Sequence, residues 1–355
     1  MLKPAAGAQW RERCRRAELL GYDVILVPDH LGMVSPFPAM TAAADATERP
    51  RIGTFVLNAG FWNPALLARD VATTDALTGG RLEIGLGAGY AQAEHERARI
   101  EFLAPGGRID LLRHTARELD RLLSDPAHTP PAVQRPRPPL LIGGNGDRLL
   151  RLMAQHADIA AFTATAGYEK GILNALTPAQ LDERVAAYER FAAHRTVPAE
   201  RNLLVHHVEI TDDRRAAADR LPKIHPEMSQ EDRLTLPVML FGTVKQIAEQ
   251  LREQRERFGL SYIVVLDNAM DTFAPVLEEL TRTGPAARRG ATRTRHPARA
   301  THGPLATGHP AGVRHRSPAA GHRHGSGAGH SPRVTLGQSP RVTHQSQGSP
   351  RARQA

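Results

Sequence analysis

Residues 51–90 read RIGTFVLNAGFWNPALLARDVATTDALTGGRLEIGLGAGY, and their pattern sets the fold class. Ile52 to Leu57 is an apolar, β-branched run, short enough for a strand buried on both faces. Pro64 stands where a first helical turn tolerates proline, and Leu66, Leu67, Val71, Thr74 and Leu77 recur at helical spacing. Gly79-Gly80 end that helix, and Arg81 to Leu86 form a second strand running into Gly85, Gly87 and Gly89. Two buried strands joined by a helix run parallel, with a right-handed crossover. The loop from Asn58 to Asn63 follows the carboxyl end of the first strand, and Gly87-Ala88-Gly89 that of the second. An α/β barrel gathers its chemistry at that end, and a backbone without Cβ atoms lets a ligand come close.

The same alternation continues in both directions. Upstream, residues 8–20 make an amphipathic helix with Trp10, Cys14, Ala17 and Leu20 on one face, and Val24 to Val27 is a buried strand leading into Pro28-Asp29-His30. Pro38 to Ala46 makes a short helix. Downstream, Ile109 to Leu123 is helical, 124–139 is Pro-rich, and a strand from Pro139 runs into Gly143-Gly144-Asn145-Gly146 and a helix, Asp147 to His156. Further strands are expected at 157–162, 202–210 and 261–266, with helices at 178–194, 213–221, 244–258 and 272–282. Thr243 can cap the helix at 244 and Gly259 can end it. Seven strands alternate with helices, one short of a (β/α)8 TIM barrel. The opening residues MLKPAAGA carry no strand signal, so the barrel reads as lacking its first strand, with unpaired edges and a late start or truncated gene as the expected cause.

Composition separates a body, residues 1–284, from a tail, 285–355. The tail holds twelve Arg, eight His and no Lys, Asp or Glu, so the net charge of +9 leaves the body at about −3. Ser-Pro-Arg-Val-Thr occurs in it twice, at 331–335 and 339–343. With few apolar residues to offset chain entropy, the tail is expected to be disordered and to add little stability. Its His lack metal-site spacing and it has no aromatics for base stacking, so neither a metal nor nucleic acid is expected. Cys14 stands alone, no apolar run nears the roughly 20 residues of a membrane span, and no signal-peptide stretch opens the chain. These features lead us to expect a cytoplasmic protein with no membrane partner; a homodimer is allowed.

Pro64, Leu67-Ala68, Ala72, Asp75, Leu77, Gly79-Gly80-Arg81 and Gly85-x-Gly87-x-Gly89 together resemble the luciferase-like monooxygenase superfamily, most closely its coenzyme F420-dependent oxidoreductases. The plainer reading is a generic βαβ unit with turn glycines. The resemblance implies that His30 sits beside the redox ring as proton donor or acceptor, with Asp29 orienting it or the cofactor. It implies a bulge with a non-proline cis peptide at Leu57-Asn58 or Asn58-Ala59 behind the ring. Gly87, Ala88 and Gly89 would line the cofactor, and Gly143, Gly144 and Asn145 would hold its phosphate at a helix N-terminus. Tyr90 and Ala93 stand where the family's sugar-phosphate dehydrogenases carry Glu and Asn, so that substrate class is not expected. Glu94 and His95 could polarise a pocket or be solvated helix residues. The implied activity is hydride transfer between F420 and a small organic substrate. The alternatives are an FMN-dependent monooxygenase and a truncated, non-catalytic barrel.

Overall fold

The computed structural model describes residues 7–169, 172–220, 228–283 and 333–337. The strands are β1 Val24–Val27, β2 Arg51–Thr54, β3 Leu57–Asn58, β4 Leu82–Gly87, β5 Leu140–Gly143, β6 Ile159–Phe162 and β7 Thr165–Glu169. After them come β8 Ile172–Ala175, β9 Glu200–Val205, β10 His207–Ile210, β11 Met239–Gly242, β12 Leu260–Leu266 and β13 Arg333–Gly337. The helices are α1 Gly7–Leu19, α2 Pro36–Ala46, α3 Pro64–Leu77, α4 Gln92–Ala98, α5 Pro105–Ser124, α6 Asp147–His156 and α7 Pro178–Ala192, then α8 Arg214–Asp219, α9 Gln230–Thr235, α10 Val244–Phe258 and α11 Met270–Thr283.

The 51–90 unit forms for the reasons its residues give. The Asn63 side chain accepts the N–H groups of Ala65 and Leu66, Pro64 opens α3, and Leu67, Ala68, Val71, Ala72, Thr74 and Asp75 turn inward. β2 pairs with β4 at its start (Gly53 opposite Glu83) and β3 pairs with β4 at its end (Leu57 opposite Leu86). Three residues on one side therefore oppose two on the other, and the extra residue makes a bulge.

Following the pairings gives a closed ring: β1 to β2, β4, β5, β6, β9, β12, β13 and back to β1, every neighbour parallel. This is an eight-position TIM barrel. The seven body strands expected from the sequence occupy seven positions. The eighth, expected to be a gap, is filled by Arg333–Gly337, inside the segment expected to be disordered. A division of the chain falls after Leu280 and again before Pro332, so β13 belongs with the body. The rest of the 285–355 tail lies outside the described residues.

Smaller departures have local causes. The expected strand at 202–210 is broken at His206, so that β9 joins the barrel while β10 pairs with β11 outside it. The segment at 163–177 begins with an antiparallel hairpin of β7 and β8. The Pro-rich 124–139 stretch is fastened by Asp75, whose carboxylate accepts the N–H groups of Val133 and Gln134 and the Gln134 amide.

Alternate strand residues face inward and outward. Val24, Leu26, Leu141, Ile159, Ala161, Tyr262 and Val264 fill the barrel, whereas Ile25, Val27, Ile142, Ala160 and Val265 meet the helices. Buried polar groups lie among the inner residues, Glu83 and Asn202 among them; Glu83 accepts Arg51 Nε at 2.6 Å and the Tyr262 hydroxyl at 3.1 Å, tying β2, β4 and β12 together. Removing one partner of a buried pair leaves the other without its counter-charge; Arg51 keeps some water access, so Glu83→Ala is expected to cost about 2–4 kcal/mol. Tyr262→Phe loses one hydrogen bond and is expected to cost about 1 kcal/mol. Denaturant unfolding of both variants checks the ranking. Burial also pushes the Cys14 thiol up to about 12. A thiol-disulfide reagent at pH 8 is expected to leave folded protein unmodified and to label it only on unfolding.

Candidate active site

β1 delivers Asp29 and His30 to the barrel's carboxyl-end face, and the two side chains find different partners. Asp29 Oδ2 accepts the Asn58 N–H at 3.1 Å and the Trp62 indole N–H at 2.8 Å. His30 Nδ1 lies 2.7 Å from Glu94 Oε1, and the other Glu94 oxygen accepts the Leu31 N–H. Asp29 was expected to orient His30 or the cofactor; among the described residues no hydrogen bond joins it to His30. Glu94, from α4, orients the imidazole, and Asp29 fastens the 58–62 loop. The rim residue Tyr90 meets the His30 ring edge-on at 5.8 Å between centroids. His30 Nε2 has no hydrogen-bond partner among the described residues.

The 58–62 loop is held at its other end by His95. Asn58 Oδ1 accepts the Gly60 N–H, and its amide nitrogen lies 2.9 Å from His95 Nε2. His95 Nδ1 is 3.2 Å from the Glu101 carbonyl, so the proton sits on Nδ1 and Nε2 accepts. Phe61 and Phe102 flank the ring, with centroids at 4.9 and 5.1 Å. His95 is thus a buried strut, while its neighbour Glu94 reaches the site.

The expected cofactor residues divide sharply. Leu57 and Ala59 are buried in the core beneath the helices, so their side chains do not reach the face, and the polar atoms of Asn58 are used within the loop. The non-proline cis peptide lies between Phe55 and Val56, earlier than expected, in the bulge itself. Phe55 and Val56 pack against the inner apolar cluster, and no sequence motif marked them. Gly87 and Gly89 are accounted for by close packing inside the chain: a Cβ on Gly87 would lie 2.5 Å from Val56 Cγ2, and one on Gly89 would overlap the Asn58 amide. Ala88 packs against the core, half-buried.

On the next strand, Ile142 opposes Leu86, so Gly143 and Gly87 leave neighbouring strands side by side. Gly144 takes a φ of 151°, open to glycine alone, and turns the chain into α6. Asn145 Nδ2 donates to the Thr165 carbonyl, while its Oδ1 is buried without a partner. The N–H groups of Asp147 and Arg148 have no partner among the described residues. Asp147 itself pairs with Arg184 at 2.8 Å. His206 follows the carboxyl end of β9 and burial pushes its imidazole down to about 4, a feature hidden when 202–210 reads as one strand. Among the described residues no hydrogen bond or ion pair joins the His30–Glu94 pair to the Gly143–Asn145 corner; they share the face.

Burial raises the Asp29 carboxyl above the ordinary carboxylate range, against the lowering effect of the Trp62 and Asn58 hydrogen bonds and of His30. A carboxyl whose pKa is raised in the folded state holds its proton there at a pH where the unfolded chain has lost it. Its contribution to stability is full at low pH and falls as pH rises from the ordinary value through the raised one. Asp29→Asn removes that loss and keeps an oxygen to accept both N–H groups. The variant is expected to gain stability relative to wild type between pH 4 and pH 7.5, as read by denaturant unfolding at each pH.

The chain folds as a parallel eight-position barrel whose β2–β3 segment is bulged, with a His–carboxylate pair at its carboxyl-end face. Residues 3–222 match the family described as Luciferase-like monooxygenase, and the chain belongs to that family. It is similar to the oxygenase component of the flavin-dependent trigonelline monooxygenase of Acinetobacter baylyi, 36% identical over 91 residues, 24% of this chain and 25% of that protein. It is also similar to the F420-dependent glucose-6-phosphate dehydrogenase of Amycolatopsis mediterranei, 40% identical over 88 residues, 22% of this chain and 26% of that protein. The matched stretch thus spans about a quarter of each of these relatives. Among solved structures, a monooxygenase from Streptomyces bottropensis aligns over 78% of this chain and 95% of its own at a TM-score of 0.60 and 18% identity. An F420-dependent secondary alcohol dehydrogenase in complex with an F420-acetone adduct aligns over 76% and 94% at the same TM-score and identity. At such identity these two speak for the fold alone.

Proposed function

We propose that the protein is an oxidoreductase that uses the deazaflavin F420 to transfer a hydride to or from a small organic substrate. The observation that carries this reading is the His30–Glu94 pair, on the face where the family's barrels work and with His30 Nε2 unpartnered. The residues present fit a ring-and-phosphate cofactor. Gly143 presents bare backbone at the end of β5, and the turn into α6 offers two N–H groups unpartnered among the described residues, with the Arg184 guanidinium close by, on Asp147. When bound, a deazaflavin supplies the hydride chemistry.

The chain's own part is to position and to move a proton. Glu94 accepts the Nδ1 proton of His30, which leaves the Nε2 lone pair facing away from the carboxylate as a base, and it stabilises the imidazolium once a proton arrives. Asp29, through Trp62 and the Asn58 N–H, keeps the neighbouring loop from shifting. Tyr90 and Ala93 replace the acid and amide of the sugar-phosphate branch, so the proposed substrate is not a sugar phosphate.

An FMN-dependent monooxygenase is the second reading, favoured by the similarity to the flavin-dependent trigonelline enzyme. Titration with each cofactor separates the two. F420 is expected to bind more tightly than FMN; tighter FMN binding with substrate-linked oxygen uptake overturns the first reading in favour of the second. With the matched cofactor, His30→Ala is expected to lower turnover by about 10²–10⁴-fold while the cofactor Kd stays within a few-fold. Glu94→Gln is expected to lower kcat with little change in cofactor Kd, because the imidazole loses the carboxylate that holds its orientation. Near-normal turnover in His30→Ala removes the histidine from the chemistry.

A further inference from the structure

Two histidines follow β9, and the chain treats them differently. Along β9 the side chains alternate: Leu203 and Val205 belong to the core shared with the helices, and Leu204 packs on the apolar cluster inside the barrel. The next inward position is His206, one residue beyond the strand, on the carboxyl-end face that also holds His30. The backbone is pinned there, because the N–H groups of His206 and His207 both donate to the Val238 carbonyl, at 2.8 and 3.4 Å. His207 turns the other way. Its ring lies 5.5 Å from that of Phe241, a residue of the outer core, and its Nε2 is 3.4 Å from Glu209 Oε2. The alternation thus sends one ring out onto β10–β11 and the other to the mouth of the barrel.

His206 is half-buried, so a molecule in the mouth can reach it. Burial pushes its imidazole down to about 4, and at neutral pH it offers one N–H and one lone pair without a charge. Such a ring is a poor partner for a carboxylate or phosphate, which an imidazolium would hold, and a good one for an uncharged oxygen. The surroundings agree. Phe55, Val56 and Leu204, half-buried on the inner cluster, make an apolar floor, and a charge brought over it gives up hydration without return.

We propose that His206 is a substrate-binding residue of the active site, hydrogen-bonded to a hydroxyl or carbonyl oxygen of an uncharged substrate, while proton transfer stays with His30. The role in the reaction rests on the hydride-transfer reading above; the placement of the ring in the mouth rests on β9 alone.

Diethyl pyrocarbonate acylates only uncharged imidazoles, and near pH 5.5 an ordinary histidine is uncharged about one time in ten. In the full chain at that pH, His206 is expected to be labelled faster than His207, as read by fragment mass; His206→Gln removes the label and assigns it. Cyclohexanol and cyclohexanone are expected to slow the labelling several-fold, and cyclohexanecarboxylate at the same concentration to leave it unchanged. An unlabelled His206 in the folded chain, slowing by the carboxylate equal to that by the uncharged pair, or slowing by none of the three overturns the proposal, whatever the enzyme turns over. Where the cofactor-loaded enzyme oxidises cyclohexanol, His206→Ala is expected to raise KM about ten-fold with kcat within a few-fold, the loss of one hydrogen bond to substrate. His206→Gln, which keeps a donor and an acceptor, is expected to restore most of that affinity. A fall in kcat alone, or a glutamine variant no better than alanine, overturns the role as well. Absence of hydride transfer with any substrate removes the proposed function instead, and labelling and its protection then decide the site by themselves.

Discussion

The close approach of the 54–58 segment to β4 is the constraint on which the site depends. Gly85 exchanges hydrogen bonds with the Thr54 hydroxyl, its N–H donating to Oγ1 and its carbonyl accepting from it, and a Cβ on Gly85 would collide with the Thr54 carbonyl. With no side chains at 85, 87 and 89, the bulged strand lies directly on β4. That contact fixes where Asn58 leaves the sheet. From there the Asn58 N–H meets Asp29, its amide meets His95, and the loop carries the Trp62 indole back to Asp29. A larger residue at 85 would lift the bulge and with it every one of these partners.

Two carboxylates of the same face do different work because their surroundings differ. Asp29 is largely enclosed and has two N–H donors on one oxygen, which makes it a mooring for backbone and indole. Glu94 keeps about a fifth of its side-chain surface in water and spends one oxygen on an imidazole. The first serves geometry, and the second, under the proposed function, serves protonation. Separate duties for neighbouring acids are a recurrent way to keep a proton-transfer group oriented while its charge changes.

Much of this was legible in the sequence because it rests on local rules. Apolar runs of four to seven residues, Asn63-Pro64 and Thr243 at helix starts, and Gly259 at a helix end read directly as the β/α alternation of a barrel. His30 at a strand end was legible for the same reason. What was not legible depends on residues far apart in the chain. Glu94 meets His30 across 64 positions, and nothing in the text around either names the other. Leu57 and Ala59 were expected to support the cofactor because they stand at the carboxyl end of a strand, yet a bulge of one residue turns them into the core. Composition described the tail correctly as poor in apolar residues. It could not show that five residues of the tail complete a sheet, since the pairing runs through the backbone on both sides.

A ring whose last member comes from residues 333–337 also has a history along the chain. β1 and β12 are synthesised long before the strand that stands between them, and the closing contacts join positions about three hundred residues apart. Contacts so distant in sequence are slow to form, because the intervening chain must be ordered first. Until they form, two apolar edges face outward, open to any extended segment that arrives. The order in which this barrel is made therefore leaves a late and vulnerable interval in its folding, set by topology and not by the chemistry of the site.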